Sequence, residues 1–97
     1  MSLPVSFLEM VTRFGFTLEG EESYEDDGMM VNVQNRSLVK GAEKFVATAS
    51  VWPNGFQRFS IRRFKNEQFK EAIWIETEAD IKDAVKRLEK LIPGSNK

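Results

Sequence analysis

Apolar residues recur with helical spacing near both ends of the chain. The N-terminal pattern predicts a helix over 4–14 that stops at Gly15, where a left-handed residue suits a helix end. Its apolar face comprises Leu3, Phe7, Met10, Val11 and Phe14. A second apolar stripe, from Ile81 to Ile92, predicts a C-terminal helix. We expect Thr77 and Asp80 to begin that helix as a capping box.

Between the two helices the apolar pattern changes to the alternation of β-strands. Residues 29–36 alternate in this way and predict one strand. Further along, Trp52-Pro53-Asn54-Gly55-Phe56 is typical of a three-residue hairpin loop. That loop would join antiparallel strands over 44–52 and 56–64.

Pairing Trp52 with Phe56 sorts the side chains of this hairpin onto two faces, because strand residues alternate in direction. The face predicted to lie in the core carries Phe45, Ala47, Ala49, Val51, Phe59 and Ile61. The opposite face carries Val46, Thr48, Ser50, Trp52, Phe56, Arg58, Ser60, Arg62 and Phe64.

The remaining segments complete a single predicted domain over 1–97. We interpret 19–28 as a solvated acidic loop, 37–42 as a turn, 72–76 as a fourth strand and 94–97 as a flexible tail. The stretch 66–76 also fits a helix. The predicted fold is α+β: a three- or four-stranded antiparallel meander sheet with the N- and C-terminal helices packed on one face.

Composition narrows the chemistry. The chain contains no Cys and no His, so it has no thiolate nucleophile and lacks the commonest general base and metal ligand. The acidic residues of 19–28 lack the spacing of a calcium loop, and no phosphate-binding glycine motif is present. We therefore predict a non-enzymatic protein with no cofactor and no metal site.

The apolar runs are too short to span a bilayer. The N-terminus also lacks the basic start and apolar core of a signal peptide. We expect a cytoplasmic protein that does not enter a membrane.

Charge is unevenly distributed along the chain. Residues 1–30 carry a net charge of −6, and residues 31–70 carry +6. Such asymmetry is typical of a site for a charged partner. It equally fits an acidic loop that folds back over a basic strand.

The candidate site is the predicted outer face of the 44–64 hairpin, where aromatic rings and guanidinium groups alternate. This mixture is typical of protein interfaces, so we predict a protein-interaction domain that binds a partner or a second copy of itself. The alternative is single-stranded nucleic acid, since rings stack on bases and arginines neutralise phosphates. A third interpretation gives the face no role beyond folding. The candidate binding residues are Trp52, Phe56, Arg58, Arg62 and Phe64, with Trp74 as an extension.

Overall fold

The computed structural model describes residues 5–92, with side chains from residue 6 onward. Within that range a helix precedes five strands, and a second helix follows them. The elements are α1 (Val5–Phe14), β1 (Thr17–Asp26), β2 (Met29–Lys40), β3 (Glu43–Val51), β4 (Gln57–Lys65), β5 (Gln68–Ile75) and α2 (Glu78–Leu91).

The strands form one antiparallel sheet in the order β1-β2-β3-β4-β5. The predicted α+β class is therefore confirmed, with five strands rather than three or four. The stretch 66–76 is resolved as strand, since β5 occupies Gln68–Ile75. The turn predicted over 37–42 is shorter than expected, because β2 continues to Lys40.

The prediction of an acidic loop over 19–28 is wrong, because most of this segment belongs to β1. Its backbone pairs with β2 from Thr17 to Asp26, yet every β1 side chain is exposed. No apolar alternation marks the strand in the sequence for that reason. The available signal is Asp27-Gly28, whose φ angles of 50° and 81° suit a two-residue hairpin turn.

The position of this strand rules out one interpretation of the charge pattern. β1 lies beside β2 at one edge of the sheet, and β3 separates β2 from β4. The acidic segment therefore does not fold back over the basic strand. Its carboxylates line an exposed edge, where charge discourages unwanted strand pairing.

The central hairpin forms in the predicted register. Ser50 pairs with Arg58, and the Trp52 amide donates to the Phe56 carbonyl at 2.8 Å. Gly55 takes a left-handed φ of 96°, as the glycine of a three-residue loop requires. Five residues of the predicted core face are buried as expected: Phe45, Ala47, Ala49, Phe59 and Ile61. The sixth, Val51, is only partly buried at the end of β3.

Both helices pack on that same face, which we call the covered face. The buried residues of α1 are Phe7, Met10, Val11 and Phe14, and those of α2 are Ile81, Ala84 and Leu88. Phe7 stacks on Phe59 with ring centroids 4.6 Å apart. Thr77 and Asp80 form the predicted capping box at the start of α2. The predicted flexible tail at 94–97 lies outside the described residues.

Candidate binding surface on the open sheet face

The other side of the sheet, which we call the open face, carries the alternate residues of all five strands. No helix of residues 5–92 packs against it, because α1 and α2 both join the core on the covered face. Strand pairing assigns to the open face Glu22, Tyr24 and Asp26 of β1; Val31, Val33 and Asn35 of β2; Thr48 and Ser50 of β3; Arg58, Ser60, Arg62 and Phe64 of β4; and Trp74 of β5.

The six candidate residues all lie on this surface, but they are not equally accessible. Trp74 is 60% exposed and Phe56 is 51% exposed, whereas Trp52 is only 7% exposed. Phe64 is partly buried. A partner could therefore contact Trp74 and Phe56 directly, while Trp52 is largely committed to packing within the chain.

Trp52 belongs to a small apolar cluster on the open face. Its ring packs with Val31, Val33 and Met29, and its indole N–H donates to an Asp26 carboxylate oxygen at 2.9 Å. This contact is between residues that the sequence analysis had placed in separate units. The cluster holds the β1–β2 hairpin against the end of β3.

Arg58 lies across this cluster. Its guanidinium carbon is 5.7 Å from the ring centroids of both Trp52 and Phe56. Those two rings meet edge to face at 5.0 Å. A cation within about 6 Å of an aromatic face is held by the ring quadrupole, so Arg58 is oriented without a carboxylate partner.

Arg62 is positioned similarly, one pair of residues along the same strand. Its guanidinium carbon is 5.9 Å from the Phe64 ring centroid, and its Nη2 donates to Thr48 Oγ1 at 3.5 Å. Between the two arginines lies a shallow depression of about 260 Å³. Its lining residues are Thr48, Ser50, Arg58, Ser60, Arg62 and Trp74.

The neighbouring Arg63 shows how an arginine with a structural role is held in this sheet. It faces the helices, and its guanidinium bonds Glu43 at 2.6 Å and Glu71 at 2.9 Å. The hydrogen bond to Glu43 is the main reason that the pKa of Arg63 rises above its usual value. Arg87 of α2 reaches the same Glu71 at 2.6 Å. Among residues 5–92, neither Arg58 nor Arg62 has such an ion pair.

Two features of the open face were not predicted from the sequence. The first is a depression of about 700 Å³ between the β2–β3 and β4–β5 turns, where Val39, Val46 and Phe64 lie beside charged residues. The second is the β1 side, with Tyr24 and Glu22. Recognition of Asp27-Gly28 as a hairpin turn would have placed these β1 residues on the sheet.

Neither α1 nor α2 is long and apolar enough to cross a membrane. Comparison with known proteins identifies no family model, curated protein or solved structure that this chain matches.

Proposed function

We propose that this chain is a non-catalytic protein-interaction domain that binds its partner through the open face. One observation carries the proposal: two arginines without ion-pair partners among residues 5–92 rest on aromatic rings beside the exposed Trp74 and Phe56. Exposed aromatic and arginine side chains are the residue types most enriched at binding hot spots.

In the proposed mechanism, binding buries exposed aromatic side chains, and the arginines favour partners that carry acidic groups. Trp74 and Phe56 would lose water-exposed apolar surface on binding. Arg58 and Arg62 would meet acidic groups of the partner, and their contacts with rings reduce the side-chain entropy lost on binding. Trp52 supports Arg58 from below.

We extend the proposal to location and cofactors. A cytoplasmic protein that works without a cofactor fits a chain lacking Cys, since small exported domains commonly depend on disulfides. Binding to membranes forms no part of the proposed function.

Single-stranded nucleic acid is the second candidate. The depression between Arg58 and Arg62, with Trp74 beside it, resembles a stacking site flanked by phosphate contacts. However, the β1 side of the same face carries Glu22 and Asp26, which would repel a strand that crosses the sheet. A protein partner with charges of both signs fits the whole face better.

Immobilised domain provides the test. Proteins from a cell extract that are retained by the immobilised wild-type domain are identified and purified. Each is then titrated against three proteins: wild type, Arg58→Ala/Arg62→Ala and the control Arg13→Ala/Arg87→Ala. The control removes two arginines that are ion-paired on other surfaces. We expect at least tenfold weaker binding for the open-face variant and a change below twofold for the control. Equal binding by all three would contradict the proposal.

A salt titration distinguishes binding of single-stranded nucleic acid from binding of a protein partner. An oligonucleotide complex that relies on phosphate contacts weakens steeply as salt rises, whereas an aromatic-centred protein complex changes little. Tight, salt-sensitive binding of a mixed single-stranded oligonucleotide, lost in Arg58→Ala/Arg62→Ala, would replace the protein proposal.

A further inference from the structure

Strand pairing arranges the open face as rows of residues that run across the strands from β1 to β5. One row consists of Gly20, Asn35, Thr48, Ser60 and Trp74. Its β5 end carries the most exposed large ring of the described residues, and its β1 end has no side chain. The row is therefore a projection at one end and a gap at the other.

Gly20 follows an irregularity in the β1–β2 pairing, between Leu18 and Gly20, but neither its backbone angle nor its surroundings require a glycine. Its φ is not left-handed, and a Cβ placed there would meet nothing within 4 Å. Glycine weakens a strand interior and often marks either a bulge or a site of close approach by another chain. A shallow depression of about 150 Å³ lies beside it, bordered by Glu22 and Asn35.

The two adjacent rows also carry side chains at their ends that can attract each other. Glu22, Val33, Ser50 and Arg58 form a row with a carboxylate at the β1 end and a guanidinium at the β4 end. Beyond it, Tyr24 pairs with Val31, Trp52 packs on Val31, and Trp52 bonds to Phe56, so this row has an aromatic ring at each end. Each end of a row thus complements the opposite end of the same row.

We propose that the occupant of the open face is a second copy of this chain, related by a two-fold axis that runs nearly parallel to the strands above β3. This inference rests on the proposed function of the open face. Such an axis reverses strand order but keeps each row at its level, so β1 of one copy faces the β4–β5 side of the other. Trp74 then lies over the partner's Gly20, and Arg58 approaches the partner's Glu22.

The geometry matches known sheet packing. Face-to-face sheets align their strands within about 30°, and two-fold interfaces are self-complementary. Five strands of about nine residues give the open face roughly 700 Å² at ordinary strand spacing and rise. A standard interface buries about 800 Å² per partner. The alternative axis, across the strands, would stack β1 on its own copy and oppose carboxylates to carboxylates, which is unfavourable.

Charge reversal tests this arrangement through mixing. Arg58→Glu places carboxylate against Glu22, and Glu22→Arg places guanidinium against Arg58, so each variant alone should sediment as a monomer. In a mixture, the two substituted side chains meet each other in one contact, and the other contact keeps its native pair, so both are attractive. We expect the mixture to form a heterodimer while wild type forms a homodimer in sedimentation velocity.

Glu21→Arg is the matched control. Glu21 is adjacent to Glu22 and exposed, but strand alternation directs it to the opposite side of β1. This variant makes the same charge change, and we expect it to remain a dimer. A monomeric Glu21→Arg would show that net charge, rather than the row contact, controls association.

Gly20→Phe tests the shape argument separately. A side chain at position 20 has space in the monomer, so urea unfolding at low concentration should show stability that is unchanged or raised. The dimer should be lost, because the ring fills the place of the partner's Trp74. An unaffected dimer would overturn the proposed axis.

The outcomes separate this inference from the proposed function. A wild type that stays monomeric up to millimolar concentration, with a captured partner still lost in Arg58→Ala/Arg62→Ala, overturns self-association and leaves the open face as a site for another protein. A monomer whose captured proteins ignore that substitution overturns both proposals. A dimer that the mixed variants fail to rebuild overturns the row pairing.

Discussion

The two faces of this sheet are built from the same strands but solve different physical problems. The covered face buries Phe45, Ile61 and Ile75 under two helices, each at 1% exposure. The open face has apolar residues too, yet within residues 5–92 only those of the cluster around Trp52 are buried. An apolar residue in a strand is therefore buried where a helix covers its face or where a neighbouring side chain such as Trp52 packs over it.

Adjacent arginines of β4 show the same contrast for charge. Arg63 of the covered face is held by Glu43 and Glu71. Arg62 of the open face rests on Phe64 and contacts a hydroxyl. One guanidinium has its charge compensated inside the monomer, and the other has no carboxylate partner among residues 5–92. This difference supports the proposal that the open face binds a partner.

The largest difference between the two faces should be the loss of stability when a large side chain is removed from each. Leu88→Ala, at a fully buried position of α2, should lower the free energy of unfolding by about 3 kcal/mol, because a core cavity remains. Trp74→Ala should change it by less than about 0.5 kcal/mol. Urea unfolding at low concentration measures both. Comparable losses would mean that Trp74 is packed within the monomer.

The paired arginine should matter more to stability than the exposed one. Arg63→Ala leaves Glu43 without its guanidinium and weakens the link from β4 to β5, so we expect a loss of about 1 kcal/mol. Arg62→Ala should leave the unfolding midpoint unchanged. Urea unfolding of both variants beside wild type measures the two losses. A larger loss for Arg62→Ala than for Arg63→Ala would contradict the roles given to the two faces.

The smallest effect concerns the cap that starts the covering helix α2. Hydrogen bonds from the backbone N–H groups of Glu76 and Thr77 lower the pKa of Asp80 below its ordinary value of 3.8. A lowered carboxyl pKa contributes stability above the ordinary value, and that contribution disappears as pH falls through the folded-state pKa.

Asp80→Asn should therefore be less stable than wild type near neutral pH, with the difference shrinking below pH 3.8. Urea midpoints across the acid range give the comparison. Thr77→Ala serves as its companion, because it removes the other half of the cap without a titrating group. A difference between wild type and Asp80→Asn that stays constant with pH would exclude the carboxylate as its source.

Much of the candidate site was predictable because its signals are local. The segment Trp52-Pro53-Asn54-Gly55-Phe56 sets both the loop and the register. That register places Arg58 and Arg62 on the face of the sheet that points away from the core. The β1 contribution was missed, since an edge strand exposed on both sides has no apolar alternation. The burial of Trp52 was missed for a related reason: its partners Val31 and Asp26 are distant along the chain.

The helices at both ends, the central hairpin and most residues of the covered face could be predicted from local patterns, because helix periodicity, turn stereochemistry and capping act between neighbouring residues. The folded sheet was needed to show that the acidic segment is an edge strand and that Glu22 and Arg58 share a row. Strand pairing across a meander joins residues far apart in the chain, and its hydrogen bonds use the backbone, which every residue carries. Side-chain patterns therefore record what each strand buries far better than which strand it joins.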